Sequence, residues 1–98
     1  MNREQVIDFF NELKGSLEKE YDVEAYVYSP TSPAKPYEVM EALVYLQFYY
    51  NDTFYHTDIN LETNTSDDFS LYYAPRKDDP GIVVLGKFKT KEEFLQLL

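Results

Sequence analysis

The 98-residue chain contains no cysteine and no tryptophan. Without cysteine there is no disulfide, no thiolate metal site and no cysteine nucleophile. A single histidine, His56, excludes a zinc centre built from several imidazoles. Glycine is almost as scarce, with residues at 15, 81 and 86 only. Spaced so widely, they form neither a Walker loop nor a dinucleotide fingerprint, and no nucleophile elbow occurs. Long apolar runs are missing too. The longest, residues 42–50, falls well short of the ~20 residues a membrane-spanning helix needs. The opening Met-Asn-Arg-Glu-Gln lacks the basic-then-apolar order of a secretory leader, so the expected location is the cytoplasm.

Positive charge is also in short supply. Nine Lys and Arg face eighteen Asp and Glu, for a net charge of −9. The imbalance is local: residues 1–75 hold fourteen acids and four bases, whereas residues 76–98 hold four acids and five bases. Such a chain repels nucleic-acid backbones and anionic lipid, so the expected electrostatic partner is a basic protein.

Aromatic residues are abundant. Ten Tyr and seven Phe make up 17% of the chain, and each buried ring removes a large apolar area from water. At this length, folding buries about 65% of the unfolded surface. That is enough for one core without metal or cross-link, so residues 1–98 read as a single domain.

The hydrophobic period assigns the elements. Asn2 with Gln5 forms a capping box. Val6, Phe9, Phe10, Leu13 and Leu17 then fall on one helical stripe. Gly15 weakens this helix by about 1 kcal/mol relative to Ala, which leaves its last turn in doubt. From Tyr21 the period becomes two, with Val23, Ala25 and Val27 opposed to Glu24, Tyr26 and Tyr28. A proline-rich stretch at 29–36 interrupts the pattern. Residues 38–50 form the longest strand, with Met40, Ala42, Val44, Leu46, Phe48 and Tyr50 on its apolar side. Asn51-Asp52 is a tight turn. Strands at 54–61, 69–74 and 82–88 follow, separated by polar turns at 63–68 and 75–81. Thr90 and Glu93 open a short final helix whose apolar side is Phe94, Leu95 and Leu98. The predicted fold is α+β: an N-terminal helix, a five-stranded antiparallel meander sheet and a short C-terminal helix, with both helices on one face.

Few residue groups invite chemistry. His56 and Asp58, two apart on one strand face, have the types for a metal or a base with its orienting carboxylate. Two ligands are too few for a tight site, and a solvent-facing polar stripe accounts for them more simply. Asp58, Asn60, Glu62 and Asn64 imitate a calcium loop, but Thr63 stands where the glycine belongs and Phe69 where the closing Glu belongs. The carboxylate pairs Asp67-Asp68 and Asp78-Asp79 lie in turns, where Asp is favoured for its backbone geometry. Arg76, Lys77, Lys87, Lys89 and Lys91 form the single basic cluster, with Lys87 and Lys89 expected on one strand face. No cofactor and no catalytic residue is expected.

The tyrosines are the strongest signal. Tyr26, Tyr28, Tyr45, Tyr49 and Tyr72 alternate onto one set of strand positions, together with Glu24 and Glu41. Tyrosine gives rigid, amphipathic contact area. Period-two alternation alone does not say whether the helices cover this face or leave it open. The resulting expectation is a non-enzymatic protein-interaction module. Its binding face is Glu24, Tyr26, Tyr28, Glu41, Tyr45 and Tyr49, and one version of it is an inhibitor of a basic nucleic-acid-binding protein, of the phage or mobile-element kind. The second reading is a self-associating structural or chaperone-like protein, a homodimer formed through Phe94, Leu95 and Leu98 or through an uncovered sheet face, and the third is a His56/Asp58 metal-dependent enzyme.

Overall fold

The computed structural model describes residues 2–28, 43–61, 68–74 and 83–98. Helix α1 spans Arg3–Glu20. The Asn2 side chain accepts from the Gln5 amide at 2.9 Å and the Gln5 side chain accepts from the Asn2 amide at 2.9 Å, which completes the capping box. Val6, Phe10, Leu13 and Leu17 are fully buried, while Phe9 lies half-buried against the same core. The helix continues past Gly15 for five residues, so the doubt over its last turn is corrected. Packing of Leu17 outweighs the modest propensity cost of one glycine. The helix ends where Asp22 takes a positive φ of 54° directly after the C-cap Tyr21, a left-handed position more often filled by glycine. This also moves the start of the first strand. Extended pairing begins at Ala25, not Tyr21, because residues 21–22 are used to turn the chain.

The sheet consists of β1 (Ala25–Tyr28), β2 (Leu43–Tyr50), β3 (Thr53–Asn60), β4 (Phe69–Ala74) and β5 (Val83–Phe88). Every neighbouring pair is antiparallel and the spatial order follows the chain order, giving an open meander with β1 and β5 at its edges. The expected beginning of the second strand at 38–42, the proline-rich stretch, and the turns at 63–67 and 75–81 lie outside the described residues. Helix α2 (Lys91–Gln96) follows β5, with the Thr90 side chain accepting from the Glu93 amide at 3.2 Å.

Both helices lie on one face of the sheet. Ala25, Val44, Leu46, Phe48, Thr57, Ile59, Phe69, Leu71 and Phe88 turn towards them and are buried. A phenylalanine cluster joins the layers: Phe69 lies 5.3 Å from Phe9, 5.4 Å from Phe10 and 5.5 Å from Phe88, measured between ring centroids. Phe94 of α2 closes the far end, 5.0 Å from Phe88 and 6.0 Å from Phe48. Phe94 is thus buried within its own chain, and Leu95 and Leu98 pack against the same core. The Gly86 backbone comes so close to α2 that a Cβ there would stand 2.6 Å from Leu97 Cδ2.

One core residue is mismatched to its surroundings. Thr57, on the central strand between Leu46 and Leu71, is fully buried, and its Oγ1 has no hydrogen-bond partner among the described residues. An unsatisfied buried hydroxyl is destabilising by about 1–3 kcal/mol. Thr57→Val keeps the branched shape and removes the orphan. Stability is expected to rise by about 1 kcal/mol, seen as a melting point higher by about 4–8 °C in thermal denaturation.

Candidate functional site

The alternate residues point away from both helices, and no described element lies over them. The register sorts them into rows across the strands. One row runs Tyr26, Gln47, His56, Tyr72, Val84 and spans all five strands. A second runs Tyr28, Tyr45, Asp58, and a third runs Tyr49, Phe54, Ala74. The rings meet along these rows, as directly opposed aromatic residues on an antiparallel sheet do. Tyr28 lies 5.0 Å from Tyr45, Tyr49 lies 5.2 Å from Phe54, and His56 lies 5.0 Å from Tyr72 at an interplanar angle of 19°.

The structure therefore places Glu24, Tyr26, Tyr28, Tyr45, Tyr49 and Tyr72 on one face. Glu41 lies outside the described residues. Tyr26 is 57% exposed, Tyr28 49% and Tyr49 44%, values high enough to separate this face from the sealed one. The Tyr26 hydroxyl donates to Glu24 Oε2 at 2.9 Å.

Two of these phenols hold their protons harder than ordinary tyrosines. Tyr26 is raised because the Glu24 carboxylate accepts its hydrogen bond and repels a developing phenolate. Tyr45 is raised by burial first, and then by the neighbouring Tyr28. In an alkaline titration followed by tyrosinate absorbance, both are expected to ionise after unperturbed tyrosines, whose midpoint is about pH 10. Glu24→Gln is expected to bring Tyr26 back and leave Tyr45 in place. The linkage has a definite sign. The unfolded chain loses the Tyr45 proton first, so its contribution is intact below about pH 10 and is lost as pH rises further.

His56 and Asp58 also lie on the open face, with His56 Nε2 3.5 Å from Asp58 Oδ2. His56 is 19% exposed and Asp58 45%, so the imidazole is packed among rings while the carboxylate meets solvent. Among the described residues no third carboxylate or imidazole joins them. Instead they line a shallow depression of ≈ 320 Å³ together with Leu43, Tyr45, Gln47 and Phe54. Leu43 and Gln47 were absent from the expected site. The signal that locates them is the two-residue turn at 51–52, which pairs each β2 residue with the β3 residue equally far from the turn.

The remaining candidates are scattered. Asp68 pairs with Lys89 at 3.3 Å, and Lys91 pairs with Glu12 of α1 at 3.6 Å. Lys89 lies one residue beyond the end of β5. Asp67, Asp78, Asp79, Arg76 and Lys77 lie outside the described residues. Sequence reasoning also missed a surface at the sheet edge: Val83, Val84 and Leu85 are 47%, 53% and 38% exposed. A register shift occurs there, because Leu71 pairs with Gly86 and Tyr72 with Val84, leaving Leu85 without a partner.

No described helix is long and apolar enough to cross a membrane. No protein-family model, no curated protein and no solved structure matches the chain.

Proposed function

We propose that the protein is an interaction module that binds a basic protein through the open face of its sheet. The observation that carries this reading is the division of labour between the two faces. Both helices pack on one side, and the other presents Tyr26, Tyr28, Tyr45, Tyr49, Phe54 and Tyr72 in rows. Rigid aromatic side chains suit protein recognition because they lose little rotamer entropy on binding. The net charge of −9 selects a basic partner and speeds its approach. Inhibition of a nucleic-acid-binding protein, with carboxylates standing in for phosphates, is the version of this function that the charge favours. The test is affinity capture from expressing cells with the native chain and with a Tyr26→Ser/Tyr49→Ser variant. A basic partner retained at low salt, released at high salt and lost by the variant is the expected result. Retention unchanged by the variant refutes the open face as the binding surface.

Self-association has one observation in its favour, though not the one the C-terminal leucines offered. The exposed Val83-Val84-Leu85 segment lies on the edge strand β5, where unpaired backbone groups accept another strand. Sedimentation velocity over a concentration series decides it. A dimer that Val84→Lys dissociates supports strand pairing, and a monomer at every concentration rules it out.

A further inference from the structure

The depression at the middle of the open face has a more specific chemistry than the face around it. Its walls are the rings of Tyr45 and Phe54, and its polar groups are Gln47, His56 and Asp58. Tyr28 stacks on Tyr45 from the β1 side, while Asp58 stands directly opposite Tyr45 on β3. A cation resting against the Tyr45 ring from within the depression is therefore beside a carboxylate. His56 Nε2 lies 3.5 Å from Asp58 Oδ2, on the side of the carboxylate towards the Gln47/His56 row. Gln47, opposite His56, adds an amide that accepts as well as donates.

This combination distinguishes between the two basic side chains. A lysine ammonium is a compact, strongly hydrated point charge. An arginine guanidinium is planar, more weakly hydrated, stacks on aromatic faces and donates to a carboxylate and an amide from a fixed fork. Asp58 and Glu24 are carboxylates on this face, and Lys87, opposite Ser70, is on its far edge strand. We infer that the depression is an arginine-anchoring site: one arginine of the basic partner stacks on Tyr45 and pairs with Asp58. This inference rests on the open-face reading and refines it.

The test uses oligoarginine and oligolysine peptides of equal length, titrated into the isotope-labelled full chain at fixed ionic strength and followed by NMR. Oligoarginine is expected to shift Tyr45, Gln47, Phe54, His56 and Asp58 and to bind several-fold tighter than oligolysine. Asp58→Asn is expected to weaken oligoarginine about tenfold with no loss of folded signal, since Asp58 is a partly exposed side chain. Tyr45→Leu keeps the apolar bulk, removes the ring and is expected to remove the preference for arginine. Equal binding of both peptides on the open face, unaffected by Asp58→Asn, overturns the arginine anchor and leaves the face standing. Shifts confined to the acidic outer side of α1, with the open face silent, overturn both. Failure of oligoarginine to bind overturns the anchor.

Discussion

Replacing Phe69 with Ala is expected to destabilise the fold by about 3–5 kcal/mol. Phe69 is 1% exposed, sits on β4 and touches three rings from two other elements: Phe9 and Phe10 of α1 and Phe88 of β5. Truncation removes those contacts and leaves a cavity between helix and sheet that the surrounding rings fill only in part. A domain of this size has about 5–15 kcal/mol in total, so the variant is expected to be largely unfolded by mild warming. Urea denaturation measures it: the midpoint falls sharply while the slope holds, because the exposed area on unfolding is little changed. Tyr26→Ala on the open face provides the contrast, with an expected loss below about 1 kcal/mol. Equal losses at the two positions would mean that the two faces do not differ in burial as described.

The second large effect belongs to the turn between β2 and β3. Asn51 and Asp52 both have positive φ, at 52° and 59°, and Tyr50 pairs with Thr53 across them. A two-residue loop with both residues left-handed is the type I′ turn, whose twist matches that of a hairpin. Asn and Asp tolerate this region; β-branched residues do not. Asn51→Val/Asp52→Val is expected to cost about 2–4 kcal/mol, from about 1–2 kcal/mol at each position. Asp52→Gly is expected to change stability in the opposite direction. Chemical denaturation of the two variants checks both signs. The turn also sets the register of eight paired positions on each strand, and a slip of one residue would send Tyr45 and Gln47 inward and Val44 and Leu46 outward.

Much of this architecture was legible because its signals are local. The stripe from Val6 to Leu17, the capping box at Asn2 and Gln5, and the alternation through β2 and β3 each follow from neighbours a few residues apart. The chain order of the strands is also their spatial order, so no long-range pairing had to be guessed. The boundaries were harder to read. Helix α1 passes Gly15 because Leu17 is buried beneath it, and burial is a tertiary effect. The stop at Asp22 was hidden because aspartate, not glycine, holds the left-handed position.

The candidate site was legible as a list of residues but not as a surface. Alternation put Tyr26, Tyr28, Tyr45 and Tyr49 on one side of their strands, but which side the helices cover depends on how α1 and α2 dock. The depression was less legible still, since Gln47 and Phe54 carry no chemical signature by themselves. They matter through their neighbours across the strand. The exposed edge at Val83-Val84-Leu85 read as an ordinary β-branched strand, because exposure at an edge depends on what lies beside it.

The aromatic rows give the molecule an optical character. With no tryptophan to dominate its spectrum, absorption and emission come from tyrosines fixed in two different settings. Phe48 and Tyr55 stack at 5.1 Å on the helix-covered side, and Tyr28 and Tyr45 stack at 5.0 Å on the open side. Rings held at fixed angles give near-ultraviolet circular dichroism, and mobile rings lose it. Each side of the sheet thus carries its own intrinsic chromophore pair. Comparing the native signal with that of Tyr55→Leu and of Tyr45→Leu assigns a change to the helix-packed side or to the open side, without an attached label.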